Sequence, residues 1–80
     1  MRTKAYVLIE TRVGKTKEVA RALAKLPGVK NVDIVTGLYD IMVVAEGSDL
    51  DAIGNLVTGH IHPIAGVTRT ITCLVLSESI

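Results

Sequence analysis

A glycine, a phenol and a carboxylate follow one another in Gly37-Leu38-Tyr39-Asp40. Glycine takes a positive φ without strain and leaves neighbouring backbone N–H groups accessible. An aspartate beside such groups suits a small zwitterion: its carboxylate takes an ammonium, and the turn N–H groups take a carboxylate. The plain alternative is a hairpin turn in which Asp40 bonds local backbone. Thr68, Thr70 and Thr72 recur at a period of two, which on a strand makes one row of hydroxyls. That row suits a ligand, or simply a half-wet strand face, where threonine is favoured anyway. His60 and His62 flank Ile61. A helical metal site wants histidines four apart, and a strand pair needs further ligands, here only scattered carboxylates and Cys73. The pair therefore reads as side chains capping the last carbonyls of a helix, and no metal or other cofactor is expected.

Catalysis finds little footing. Cys73 lies within a strand, where a small core side chain fits better than a nucleophile. Glu10, Asp33, Asp40 and Glu46 show no spacing that declares an acid/base pair. Glycine-rich phosphate loops are absent. Basic residues are interspersed with acids, and only Tyr6 and Tyr39 could stack on bases, so direct nucleic-acid binding is not expected.

The elements that position these residues follow from apolar spacing. Residues 4–11 are β-rich and apolar on both faces, a first strand. Gly14 breaks it. From Lys15 to Leu26, Val19, Ala22, Leu23 and Leu26 form one helical stripe, with Lys17, Glu18, Arg21 and Lys25 on the solvent side. Pro27-Gly28 stops the helix. Val29–Thr36 is a second strand, with Val32 and Ile34 on one face and Asn31 and Asp33 interleaved. Gly37-Leu38 then makes a tight turn into a third strand ending near Glu46-Gly47. Ser48 is the expected N-cap of a second helix, with Asp51 three residues on. Leu50, Ile53, Val57 and Ile61 form its buried stripe, and Gly54 on the same face permits close approach to the sheet. Pro63 ends that helix and Gly66 opens a fourth strand running to Leu76. The order β-α-β-β-α-β gives an α+β, ferredoxin-like fold: a four-stranded antiparallel sheet with two helices on one face.

Eighty residues make one domain, 1–80. A chain this small buries only roughly 60% of its unfolded surface and gains from association. It is 49% hydrophobic without Phe or Trp, so the core is aliphatic. A net charge of +1 steers no polyanion. One cysteine suits a reducing compartment. No apolar run approaches the about 20 residues that span a membrane, and no signal peptide is visible, so a cytoplasmic location is expected. Ile41–Ala45 is apolar throughout, while Val67, Ile71, Cys73 and Val75 point one way from the last strand and Leu74 and Leu76 the other. Two helices cover one face. The other needs a partner, so a dimeric α/β sandwich is expected.

The run Thr36-Gly37-Leu38-Tyr39-Asp40-Ile41, a capped helix, then Ile64-Ala65-Gly66-Val67-Thr68-Arg69-Thr70-Ile71-Thr72 resembles the effector-binding domain of the Lrp/AsnC (feast/famine) transcription regulators, the RAM domain. Val13-Gly14 and Leu26-Pro27-Gly28-Val29 are similar to its pattern too. Those regulators carry an N-terminal helix-turn-helix domain, whereas this chain begins directly with a strand and looks like a stand-alone RAM protein. DNA binding is therefore not carried over. The resemblance implies dimers formed through open sheet faces, assembled into octamers or decamers, with amino-acid effectors bound between dimers. By position it assigns Gly37, Tyr39 and Asp40 to the effector-binding turn and Thr70 and Thr72 to the strand lining the site. The function implied is a non-enzymatic amino-acid-binding and oligomerisation module, regulating transcription or amino-acid metabolism through its assembly state or a partner such as a full-length regulator. The rivals are a small dimeric enzyme of the cofactor-free monooxygenase or isomerase type, and a purely structural oligomerisation module.

Overall fold

The computed structural model describes residues 2–77. Strand β1 (Thr3–Thr11) leads to α1 (Thr16–Ala24), then β2 (Val29–Ile34), β3 (Ile41–Gly47), α2 (Leu50–Leu56) and β4 (Val67–Leu74). A π-helical turn, Val57–Ile61, continues α2. The strands lie in the order β2-β3-β1-β4, every neighbour antiparallel. This is the ferredoxin-like arrangement expected from the element order.

Period two on the strands and the helical stripes converge on one core. Ala5, Val7 and Ile9 of β1 and Ile41, Val43 and Ala45 of β3 face the helices and are fully buried. Val19 and Leu23 of α1, Ile53 and Leu56 of α2, and Val57 and Ile61 of the π turn close over them. The core is aliphatic throughout. Each helix returns to the sheet by the same turn. The Val29 N–H bonds the Leu26 carbonyl at 3.2 Å, and the Val67 N–H bonds the Ile64 carbonyl at 3.2 Å. Gly28 and Gly66 occupy the third positions with φ of 94° and 102°, a conformation that suits glycine. At Gly66 a Cβ would also sit 3.0 Å from Lys15 Cβ and from Val19 Cγ2, so α1 packs directly on this turn.

The opposite face carries two apolar rows across three strands. Met42, Leu8 and Ile71 form one, and Val44, Tyr6 and Cys73 the other. No helix among the described residues covers them: Tyr6 is 38% exposed, and Met42 and Ile71 37% each.

Several local expectations are corrected. The N-cap of α2 is Asp49, not Ser48: the Asp49 carboxylate accepts the Ala52 N–H at 2.8 Å. The helix therefore starts one residue later than the Ser48 reading requires. Leu50 falls outside the buried stripe and is 59% exposed. Gly54 is exposed too, and a Cβ there would touch nothing within 4 Å, so it provides no close approach. The link into β3 is wider than a tight turn, being closed between Val35 and Asp40. In β4 the register slips by one residue beside Glu10/Thr11, with Thr68 as the extra residue. Such a bulge reverses the facing of what precedes it. Val67 thus packs against the core instead of sharing a face with Ile71 and Cys73. Cys73 is exposed rather than a core residue, because it lies on the uncovered face of an edge strand.

Candidate functional site

The loop of residues 35–40 is fastened at the C-terminal end of β1. The Val35 N–H bonds the Asp40 carbonyl at 2.9 Å, and the Asp40 N–H bonds the Ile9 carbonyl at 2.9 Å. The carboxylate then folds onto β1. Its Oδ2 accepts the Thr11 N–H at 2.8 Å and the Thr11 hydroxyl at 3.2 Å. Thr11, itself buried, shares a further hydrogen bond of 2.8 Å with the Thr16 hydroxyl in the first turn of α1. A nearly buried backbone N–H is costly without a partner, and Asp40 supplies one. Both bonds fall on Oδ2, and Oδ1 accepts nothing from any described residue. Gly37, at φ 133°, gives the loop a bend that other residues rarely adopt. Tyr39 is half-buried beside Asp40 and Leu38 is exposed.

A second cluster lies at the start of β4. Thr70 pairs with Ile9 and Thr72 with Val7, so both lie on the helix-side face. Thr68 does not complete their row. Within the bulge its hydroxyl bonds the Glu10 carbonyl at 3.2 Å and the Glu10 carboxylate at 2.8 Å. The Thr70 hydroxyl lies 2.8 Å from His62 Nε2. His62 is therefore not a cap for helix carbonyls: its ring reaches across to the strand. His62, Val67, Thr68, Arg69 and Thr70 line an open groove of about 390 Å³. Thr72 is exposed along the strand, outside it.

The two clusters flank one residue. Ile9 accepts the Asp40 N–H on one side and pairs with Thr70 on the other. With strands about 4.8 Å apart, their backbones are roughly 10 Å from each other. Gly37, Tyr39 and Asp40 do not line the groove that holds Thr70. Within one chain the expected site residues thus fall into two separate groups, Gly37, Tyr39 and Asp40 on one side of the end of β1 and Thr70 on the other, with Thr72 further along β4. The His62–Thr70 pair was not visible beforehand. The one available signal is that His62 follows Ile61, the last buried residue of the α2 stripe, by a single position and so falls off the core face.

Among the described residues no three His, Cys, Asp or Glu side chains gather as a metal site. No helix among them is long and apolar enough to cross a membrane.

The family model of the Lrp/AsnC ligand-binding domain matches residues 4–80. An uncharacterized HTH-type transcriptional regulator of Pyrococcus furiosus, PF0250, is 40% identical over 73 residues, which cover 88% of this chain and 49% of the regulator. The chain thus spans about half the length of such relatives. A homocitrate synthase of Sulfurisphaera tokodaii is 38% identical over 63 residues, 79% of this chain but 14% of that enzyme. The solved structure of TTHA0845 from Thermus thermophilus superposes with a TM-score of 0.93 at 33% identity and covers 98% of both chains. A transcriptional regulator of Neisseria meningitidis solved as an L-Met complex, NMB0573, shares the fold at a TM-score of 0.86 and 24% identity, covering 95% of this chain and 51% of that one. On the family match over residues 4–80 and the relatives at 30% identity or more, the chain belongs to the Lrp/AsnC ligand-binding domain family.

Proposed function

We propose that this chain is a non-enzymatic module that binds an amino-acid effector and acts through its state of assembly. The observation that carries the reading is the split of Gly37, Tyr39 and Asp40 from Thr70 and Thr72, two unclosed half-sites at one end of one sheet. A second chain that brings its own half-site alongside would close a pocket around a small zwitterion. The free oxygen of Asp40 would take the α-ammonium, and loop N–H groups near Gly37 the α-carboxylate. The family match and the L-Met complex of a fold relative support this choice of ligand.

Assembly begins at the uncovered sheet face. Two such faces packed together bury Tyr6, Leu8, Met42, Val44, Ile71 and Cys73 in a dimeric α/β sandwich, and dimers associate further into an octamer or decamer. An effector seated between dimers shifts that equilibrium by its differential affinity for the assembled state. The output passes, in the cytoplasm, to regulators of transcription or amino-acid metabolism that carry the same domain.

A thermal-shift screen of the twenty amino acids, with sedimentation of the same samples, tests the proposal. A ligand at 100 times its Kd adds about 2.7 kcal/mol to stability. We expect at least one amino acid to raise Tm and to change the sedimenting species. A folded monomer at micromolar concentration that no amino acid stabilises would overturn it.

A further inference from the structure

The helix layer is divided by charge. From Arg12 to Lys25 the chain carries Arg12, Lys15, Lys17, Arg21 and Lys25 against Glu18 alone, whereas residues 48–66 hold Asp49 and Asp51 and no Lys or Arg. Glu18 pairs with Lys15 at 3.3 Å. Lys17 and Arg21 form no ion pair with any described residue. They stand one turn apart on α1, in a stripe with Ala20 and Ala24 spaced i, i+3, i+4 and i+7. Beside that stripe runs the edge strand β2. Its Val32 and Ile34 pair with the buried Val43 and Ile41, so they belong to the helix-side face. The alanines are too short to cover them. Val32 packs against the core, but Ile34 stays 55% exposed. A groove of about 360 Å³ opens between helix and strand, lined by Lys17, Ala20, Arg21, Ala24, Val32 and Ile34. Its lining is apolar apart from the two cations.

The complementary pattern stands at the start of α2. Leu50 is 59% exposed between Asp49 and Asp51. Asp49 caps the helix, and Asp51 forms no ion pair with any described residue. We propose that the α1/β2 groove receives the Asp49-Leu50-Asp51 corner of a second copy of this chain, Leu50 lying on Val32 and Ile34 and the carboxylates meeting Lys17 and Arg21. The corner cannot serve its own groove. It follows Gly47, whereas Ile34 pairs with Ile41, six residues and roughly 20 Å away along β3. Exposed ion pairs alone are worth little. Burial of Leu50 against the apolar lining supplies the attraction, and the charges fix which surfaces meet. Corner and groove are different surfaces, so the contact is heterologous: each copy gives one and takes one, and the set closes into a ring if the rotation allows. Neither surface contains Asp40 or Thr70. The proposal rests on the assembly reading above and names a contact that joins its dimers.

Sedimentation of the full chain at micromolar concentration and low salt tests the contact, with circular dichroism to confirm that each variant folds. Lys17→Glu together with Arg21→Glu reverses the groove. Asp51→Lys reverses the corner and leaves the Asp49 cap in place. Either reversal sets like charges against each other, and we expect it to reduce the wild-type multimer to the two chains that the sheet face joins. All three changes in one chain restore opposite charges, and the multimer should return. Loss of a merely structural contribution would not be rescued in this way. Leu50→Ala should raise the concentration for half-assembly at least tenfold, and high salt should raise it for wild type, because exposed charges are screened. If either reversal sediments like wild type, or the combined variant stays as small as its parents, the contact is overturned and the assembly reading stands. A wild type no larger than two chains leaves the groove to another molecule and overturns the contact and the octamer or decamer together.

Discussion

Asp40 and Thr11 are joined twice across the end of β1, because one carboxylate oxygen accepts both the threonine N–H at 2.8 Å and its hydroxyl at 3.2 Å. The same aspartate is the acid of the proposed effector site. Its structural role falls on one oxygen and its proposed binding role on the other, and that division can be tested.

Asp40→Ala removes both bonds and leaves the nearly buried Thr11 N–H unpaired, which costs about 1–3 kcal/mol of stability. Asp40→Asn keeps an acceptor for Thr11 but removes the charge. We expect Asn to unfold close to wild type in urea while binding an amino acid about 1.5–3 kcal/mol more weakly by calorimetry, the usual worth of a charge-assisted bond. Equal binding by Asn and wild type would leave Asp40 with its structural role alone.

The fold was legible where its elements obey simple periods. Val19 and Leu23 are four apart, so the buried stripe of α1 followed from spacing, whereas β1 and β3 are apolar on both faces and spacing did not say that Val7, Ile9, Ile41 and Val43 face the helices. What escaped depends on insertions that break a period. One extra residue at Thr68 moved Val67 to the other face and took Thr68 out of the threonine row. One extra residue in the π turn sent His62 to Thr70. Neither insertion has a residue type that announces it. Cys73 was misplaced for a different reason: apolar character does not say whether a strand lies at the centre of its sheet or at its edge.

The α2 cap gives a local measure. Asp49 supplies the one side-chain acceptor for the first turn, while Ser48 makes no such bond. Asp49→Ala should therefore cost about 1 kcal/mol and Ser48→Ala little, as read by chemical denaturation. The reverse order would restore Ser48 as the cap.

Two glycines with similar φ separate strain from contact. Gly14 lies at φ 82° with nothing within 4 Å of a Cβ, whereas Gly66 lies at φ 102° against Lys15 and Val19. Gly14→Ala should cost roughly 1–2 kcal/mol from the left-handed conformation alone. Gly66→Ala should cost more, because the added methyl pushes on Val19, which is fully buried. Thermal unfolding of the two variants checks the order.

The last prediction concerns the open sheet face. Val44 and Tyr6 are cross-strand partners on that face, with Cys73 beyond. Were the face solvated in the working protein, Val44→Asp would be a surface change worth only about 0.5 kcal/mol. If instead two faces pack together, the same carboxylate is carried into an apolar interface without a partner, which costs several kcal/mol. The two cases therefore differ in kind. We expect Val44→Asp to yield a species of one-chain size, with a lowered Tm because the exposed apolar rows lose their cover. Leu8→Asp, in the neighbouring row, should behave alike. Analytical ultracentrifugation at micromolar concentration decides it. Wild-type and Val44→Asp chains sedimenting as the same multimer would move the interface off this face.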